Sequence, residues 1–301
     1  MNGNLMKIMK NPLCFFPRFV LALLLAANGC LLAPAGVFAK EKLTIVFIAY
    51  ENPDQLLENV EPVVDYLEER LSLDVRGFVA TDYAAVVEAL RNETADVGFM
   101  GPLQYVMARK QAGAYPLLGE VYRGKASYVS KIFVRKDSGI RSVGDLRGKT
   151  IAFVDPISSS GYMYPLDILK SAGVMTGTPE EFFRKIYFAG GDEQSIRAVF
   201  NGFVDAAGIG QYSYFLLRPE ERDEVLAIAE SRPIPSHCLV ARRGLERKTA
   251  DALSAALLAL NEPGEHRRLL KFLYSVDGYV KVSHKDYLEV EKIGKAYGFI
   301  K

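Results

Sequence analysis

Three consecutive serines and a glycine, Ser158-Ser159-Ser160-Gly161, follow Asp155-Pro156-Ile157. They lie between a β-rich run, Thr150 to Val154, and a stretch in which Met163, Leu166, Ile168 and Leu169 give a largely apolar helical pattern. A helix start carries backbone N–H groups with no partner inside the helix, and its dipole presents a positive end. Hydroxyls placed there make an anion site that needs no Lys or Arg. One serine would serve as an N-cap; three with a glycine point to ligand binding as well.

Two carboxylates stand at similar junctions. Asp192 follows Gly190-Gly191 at a helix start, and Asp205 opens an apolar run, Ala206 to Ile209. Each can cap or satisfy backbone groups, or can accept a hydrogen bond from a ligand hydroxyl, amine or still-protonated acid. The histidines, His237, His266 and His284, are scattered, without metal-ligand spacing, so no metal or other cofactor is expected. Cys238, in Ser236-His237-Cys238-Leu239-Val240, reads as a small core residue of a strand. His237 points to the opposite face of that strand, which separates the two chemically. No nucleophile–base set emerges, and a protein without catalysis is expected. An enzyme on a similar two-lobed fold is the alternative, because fold alone does not decide activity.

The elements that position these residues alternate. Leu43 to Tyr50 reads as a buried strand, Pro62 opens a helix with Val63, Val64, Leu67 and Leu71 on its apolar face, and Leu73 to Val79 is a second strand. A helix over Tyr83 to Leu90, capped by Thr81 or Asp82, and a strand over Asp96 to Met100 complete a βαβαβ order, which implies parallel strands with helices on the faces. An internal repeat follows. Ala89, Asn92, Asp96, Gly101 and Tyr105 recur without a gap as Ala198, Asn201, Asp205, Gly210 and Tyr214. The shared unit is a helix end, a tight turn, a strand opened by Asp, then Gly and a new helix start, once in each of two α/β lobes.

The chain crosses between lobes twice, first on the strand Tyr128 to Val134 and back after Pro233-Ile234-Pro235 on the strand His237 to Ala241. Helices over Lys248–Leu260, Glu262–Leu273 and Asp286–Tyr297 then return to the first lobe. This divides the chain into residues 40–132 plus 238–301 and residues 133–237, with a ligand cleft between them at the strands' carboxyl ends.

Residues 1–39 read as a secretory signal peptide. Lys7, Lys10 and Arg18 precede the apolar run Phe19 to Leu32, and Val37-Phe38-Ala39 offers a cleavage site before Lys40. The run falls short of the ~20 residues of a spanning helix, which disfavours a retained anchor. Ala27-Asn28-Gly29-Cys30 offers lipoprotein processing at Cys30 as another route. A periplasmic or other extracytoplasmic location follows. Cleavage before Lys40 would remove Cys14 and Cys30 and leave Cys238 without a disulfide partner. The chain has 37 basic and 36 acidic residues, and no basic run, so nucleic acid is not an expected partner.

Several motifs together resemble the phosphate/phosphite/phosphonate-binding proteins of ABC transporters, over roughly Leu43 to Leu245. They are Gly101-Pro102-Leu103-Gln104-Tyr105, Ser130 to Ile140, Asp145-Leu146-Arg147-Gly148-Lys149, Asp155 to Tyr162 with Pro165, Ala198-Val199, Asn201-Gly202 and Val204-Asp205-Ala206-Ala207. The resemblance implies a two-lobed type II periplasmic-binding-protein fold, each lobe a mostly parallel sheet flanked by helices. It implies a monomeric receptor that closes on a small oxyanion and serves an ABC transporter permease, or alternatively a membrane sensor kinase. It assigns the oxyanion to Tyr50, Tyr105, Ser158, Ser159 and Ser160, and matches Asp205 to the family's Val-Asp-Ala aspartate. Asp192 stands where the family often has histidine. An ionised carboxylate there cannot donate to an oxyanion and repels a dianion.

Overall fold

Two larger sheets form, the first from strands on both sides in sequence of those that build the second. This computed structural model describes residues 41–48 and 53–300; the leader, Cys30 and Tyr50 lie outside them. The strands are β1 Lys42–Ile48, β2 Asp74–Ala80, β3 Val97–Met100, β4 Tyr115–Val121, β5 Ser127–Tyr128, β6 Ser130–Arg135, β7 Thr150–Phe153, β8 Lys185–Phe188, β9 Ala206–Gly210, β10 Val225–Glu230, β11 Ile234–Pro235, β12 Cys238–Ala241 and β13 Gly278–Lys281. The helices are α1 Pro53–Leu71, α2 Tyr83–Arg91, α3 Pro102–Ala112, α4 Tyr164–Ser171, α5 Pro179–Phe182, α6 Asp192–Phe200, α7 Arg247–Ala259 and α8 Leu288–Ala296.

The first sheet has the order β13-β4-β12-β3-β1-β2 and the second β10-β6-β9-β7-β8. This is the two-lobed type II periplasmic-binding-protein architecture, with one refinement. β1 pairs in parallel with β2 and β3, and β7 with β8 and β9, but every other strand pair in the two sheets is antiparallel. The sheets are therefore mixed rather than mostly parallel. The reason is topological: β12 and β6 enter their sheets directly from the other sheet, without a crossover helix.

The whole of β6, including Ser130 to Ile132, pairs with β9 and β10 in the second sheet. The chain thus leaves the first sheet after Val121. A two-stranded ribbon of β5 and β11, with Tyr128 opposite Ile234, runs between the sheets.

Strand β1 shows the period-2 logic of a strand buried on both faces. Leu43, Ile45 and Phe47 pack with α1 and α7 residues such as Val60, Leu67 and Leu253. Val46 and Ile48 belong to a cluster that continues through Leu103 to Met163, just before α4, and to Ile209 of the second sheet. A third cluster, with Ile132, Val134, Leu166 and Leu169, seats α4 on the second sheet. Each such side chain, fully buried, contributes roughly 1.5–3 kcal/mol.

Helix α1 starts well before Pro62, which lies inside it. An interior proline forfeits one backbone hydrogen bond. The buried row Leu56, Val60, Val63 and Leu67 carries the helix through it. The predicted helix over Glu262–Leu273 is a 3-10 segment, Glu265–Lys271.

Candidate functional site

Strand β7 ends at Phe153, and the chain turns through Asp155 and Ser158 into one wide helical turn before α4. The Met163 N–H reaches the Ser158 carbonyl at 3.1 Å, an i→i+5 bond. Asp155 shapes the turn by accepting from the Ile157 N–H at 2.8 Å. Ser158 Oγ accepts from the Gly161 N–H at 3.0 Å. Gly161 is required by space: a Cβ there would collide with Val154 and stand 2.7 Å from Ser158 Oγ.

The three serines occupy different places, all buried. Ser158 caps the turn. Ser159 crosses to the other sheet's helices, its Oγ accepting from the Leu103 N–H at the start of α3, 2.9 Å away. The Ser160 carbonyl accepts from Ser130 Oγ at 2.6 Å, which ties the loop to the first residue of β6. The serine loop and the α3 start thus meet, although 56 residues separate Leu103 from Ser159.

The α3 start has its own brace. Gln104 Oε1 accepts from the Gly101 N–H at 2.8 Å, and Gln104 Nε2 donates to the Tyr83 carbonyl at 2.8 Å. One side chain therefore fixes the first turns of both α2 and α3. Asp82 caps α2 by accepting from the Ala85 N–H at 2.8 Å. The buried Tyr83 and Tyr128 complete this wall, and Tyr128 stacks on His237 with ring centroids 5.2 Å apart.

Asp192 heads α6 beside the same cluster. It accepts from Ser213 Oγ at 2.6 Å and from the Gly210 N–H at 3.3 Å. Burial pushes its carboxyl above the usual range, and the two hydrogen bonds pull it part of the way back. The charged groups acting on Tyr83 include Asp192 and Asp155, and Asp82 acts on Asp155. Asp155 too is raised, chiefly by burial. Glu120, at the cleft end of β4, is 5% exposed, and burial pushes its carboxyl up to about 8. Its Oε1 has no hydrogen-bond partner among the described residues, and its Oε2 lies 3.8 Å from His237 Nδ1. Burial pushes that imidazole down to about 4. The site is thus built of hydroxyls, amides and carboxyls held toward their neutral forms.

Asp205 and Tyr105 lie elsewhere. Asp205 precedes β9 and accepts from the Thr150 N–H and Thr150 Oγ1, both at 2.7 Å. Thr150 begins β7, so this carboxylate sits at the opposite end of the strand from the serine loop. Burial works to raise it, but the Thr150 bonds win and hold it below the usual range. Tyr105 is fully buried on the far side of α3, its hydroxyl 3.0 Å from His284 Nδ1 and its ring edge-on to Tyr287. The structure therefore brings together Ser158, Ser159, Ser160 and Asp192, and sets Asp205 and Tyr105 apart from them.

Sequence reasoning passed over Tyr83, Gln104, Tyr128, Ser130 and Glu120. Gln104 alone had a local signal, as the third residue after Gly101, where a side chain can reach back to the helix start. Among the described residues, no group of three His, Cys, Asp or Glu side chains could hold a metal ion, and no helix is long and apolar enough to cross a membrane.

Residues 45–287 match the family model described as "ABC transporter, phosphonate, periplasmic substrate-binding protein". The phosphonates-binding periplasmic protein of Escherichia coli is 28% identical over 252 residues, 81% of this chain and 73% of that protein. The phosphate-import protein of Mycolicibacterium smegmatis is 34% identical over 173 residues, 55% of this chain and only 54% of that protein. Among solved structures, a Prochlorococcus marinus protein in complex with methylphosphonate superposes with a TM-score of 0.77 at 21% identity, covering 86% of this chain and 99% of that one. A binding protein component of a Pseudomonas aeruginosa ABC phosphonate transporter gives 0.74 at 23% identity, covering 84% and 85%. With most of its length inside the matched region, the chain belongs to the periplasmic phosphonate substrate-binding proteins of ABC transporters.

Proposed function

We propose that this protein captures a small phosphonate-like oxyanion between its two sheets, closes on it, and delivers it to an ABC transporter permease as a monomer. The observation that carries this reading is the meeting of the serine loop with the α3 start, Ser159 Oγ to the Leu103 N–H. Hydroxyls and helix-start amides converge there from both sheets, which is the donor set an oxyanion needs. Ser158, Ser159 and Ser160 supply hydroxyl donors, and the first turn of α3, whose Leu103 N–H is held by Ser159 Oγ, leaves the Ser159 O–H for the ligand; Tyr50 supplies a further donor. The ribbon of β5 and β11 serves as the hinge. Asp205 and Tyr105 act as structural anchors outside the ligand set.

The acids around the cradle refine the ligand. Asp82, Asp155, Asp192 and Glu120 gather near Tyr83 and Tyr128. An oxyanion that arrives protonated, or that carries its own positive group, suits this field better than a bare dianion.

The family is a substrate-binding transporter component found outside the cytoplasm and is not an enzyme family. In keeping with this we propose that residues 1–39 direct export and that the bound ligand leaves chemically unchanged. Calorimetric titration with phosphate, phosphite, methylphosphonate and 2-aminoethylphosphonate tests the reading, with recovered ligand analysed for turnover. Binding to at least one, without conversion, is expected; binding to none overturns the oxyanion assignment.

A further inference from the structure

Residues 297–300 return to the second sheet's side of the molecule. Helix α8 packs on α3, and so belongs with the first sheet. After it, Gly298 adopts φ +76°, a left-handed turn that glycine takes without strain. Phe299 and Ile300 then fold back, both N–H groups reaching the Gly294 carbonyl, at 2.8 and 3.2 Å.

This turn lays the tail against α4. Tyr297 Oη donates to Asp167 Oδ1 at 2.7 Å, and Lys170 Nζ sits 4.5 Å from the centre of the Tyr297 ring. The Phe299 ring meets Tyr162 edge-on at 5.5 Å. Asp167 is 6% exposed. Its second oxygen lies 3.2 Å from Arg232 Nε, and Arg232 Nη1 reaches Glu289 of α8 at 2.7 Å. Arg232 stands between β10 and β11, where the chain leaves the second sheet. One buried carboxylate on α4 thus gathers a partner from the α8 tail and another from the hinge approach.

Helix α4 is the direct continuation of the serine loop, which places this junction immediately behind the cradle. We infer that Asp167, Tyr297 and Arg232 form a latch that holds α4, and with it Ser158–Ser160, against the first sheet's helices in the closed form, so that the C-terminal tail governs ligand release. Asp167 is a positioning residue here: it acts through α4 and touches no ligand. Breaking the latch eases opening and leaves encounter with the ligand unaltered, so its signature lies in the dissociation rate.

The inference rests on the proposed ligand cradle, and two readouts keep them separable. The first is radiolabelled methylphosphonate release and uptake by Tyr297→Phe, Asp167→Asn and the double variant. Tyr297 is only half-buried, so its variant keeps the fold if Asp167→Asn does not. Release about tenfold faster in each single variant is expected, the loss of roughly one hydrogen bond to a charged group, with association unchanged. The double variant should release little faster than Asp167→Asn alone, because Tyr297→Phe removes a contact that Asp167→Asn already weakens. The second readout is small-angle scattering, which needs no ligand: Tyr297→Phe should have a larger radius of gyration than the parent protein. Failure of the parent to bind methylphosphonate would sink the cradle and leave the scattering test standing. Unchanged release together with unchanged scattering in Tyr297→Phe overturns the latch.

Discussion

Ser159 concentrates the chemistry of the site in one hydroxyl. It accepts the Leu103 N–H in the structure and faces the place where an oxyanion is proposed to sit. Ser159→Ala strands that buried N–H and removes a proposed ligand donor. Affinity for the preferred oxyanion should fall by about 1–3 kcal/mol, read by calorimetry, whereas Tyr105→Phe should leave it within error. Glu120 makes a separate prediction about stability. Its carboxyl ordinarily titrates near 4.5 and is pushed up to about 8 by burial. The folded state therefore holds the proton more tightly than the unfolded chain, and stability falls as pH rises from about 4.5 through about 8. Glu120→Gln, which mimics the protonated acid, should match the parent near pH 5 and exceed it by on the order of 2–4 kcal/mol at pH 9 in denaturant melts. A constant difference across that range would mean the buried acid does not titrate as burial dictates. At this scale the serines were legible because donor-rich residues cluster in sequence. Glu120, Tyr83 and Tyr128 were not, because each is an ordinary residue of its own strand or helix and gains meaning only from neighbours far along the chain.

The repeated segment explains itself once the elements are seen. Asp96 Oδ2 accepts from the Thr44 N–H at 2.8 Å, as Asp205 Oδ2 does from the Thr150 N–H at 2.7 Å. Asn92 and Asn201 each end a helix, and Glu93 and Gly202, the residues after them, both adopt positive φ. The repeat is thus a device for joining a helix to a strand and pinning that strand's start to its parallel neighbour. The family resemblance invited a ligand role for the repeated aspartate, and the helix–turn–strand geometry supplied a mechanical one. The sequence pattern showed the unit and placed Asp205 at the start of its strand, away from the carboxyl end expected to face the cleft, so the ligand role came from the resemblance alone. Pro62 misled in a similar way, since proline suggests a helix start and the longer apolar row around it overrides that local preference. The serine turn carries its own prediction. Gly161→Ala forces a methyl into Val154 and Ser158, so it should cost about 1–3 kcal/mol in urea unfolding and weaken binding with it. Gly139→Ala, at a φ of +75° but in open space, should cost stability through backbone strain and leave binding alone.

At the scale of the molecule, the two sheets are independent in pairing and joined by a thin ribbon, yet one apolar cluster runs through both. That combination suits a body that swings about its ribbon while each half stays rigid. The resemblance carried the two-lobed plan, and the alternation of strands and helices supported it. The mixed strand directions and the place where β6 begins were hidden because an antiparallel strand entering from another sheet has the same β-rich composition as a parallel one. Cys238 sits where β12 re-enters the first sheet, fully buried opposite Met100, its thiol pushed up by burial. A sulfhydryl so placed is inert to alkylating reagents until that sheet comes apart. Its rate of modification, followed by mass spectrometry of the Cys238 peptide, becomes a clock for how often the protein's central seam unzips. Adding a ligand that binds the native state should slow the clock in proportion to saturation.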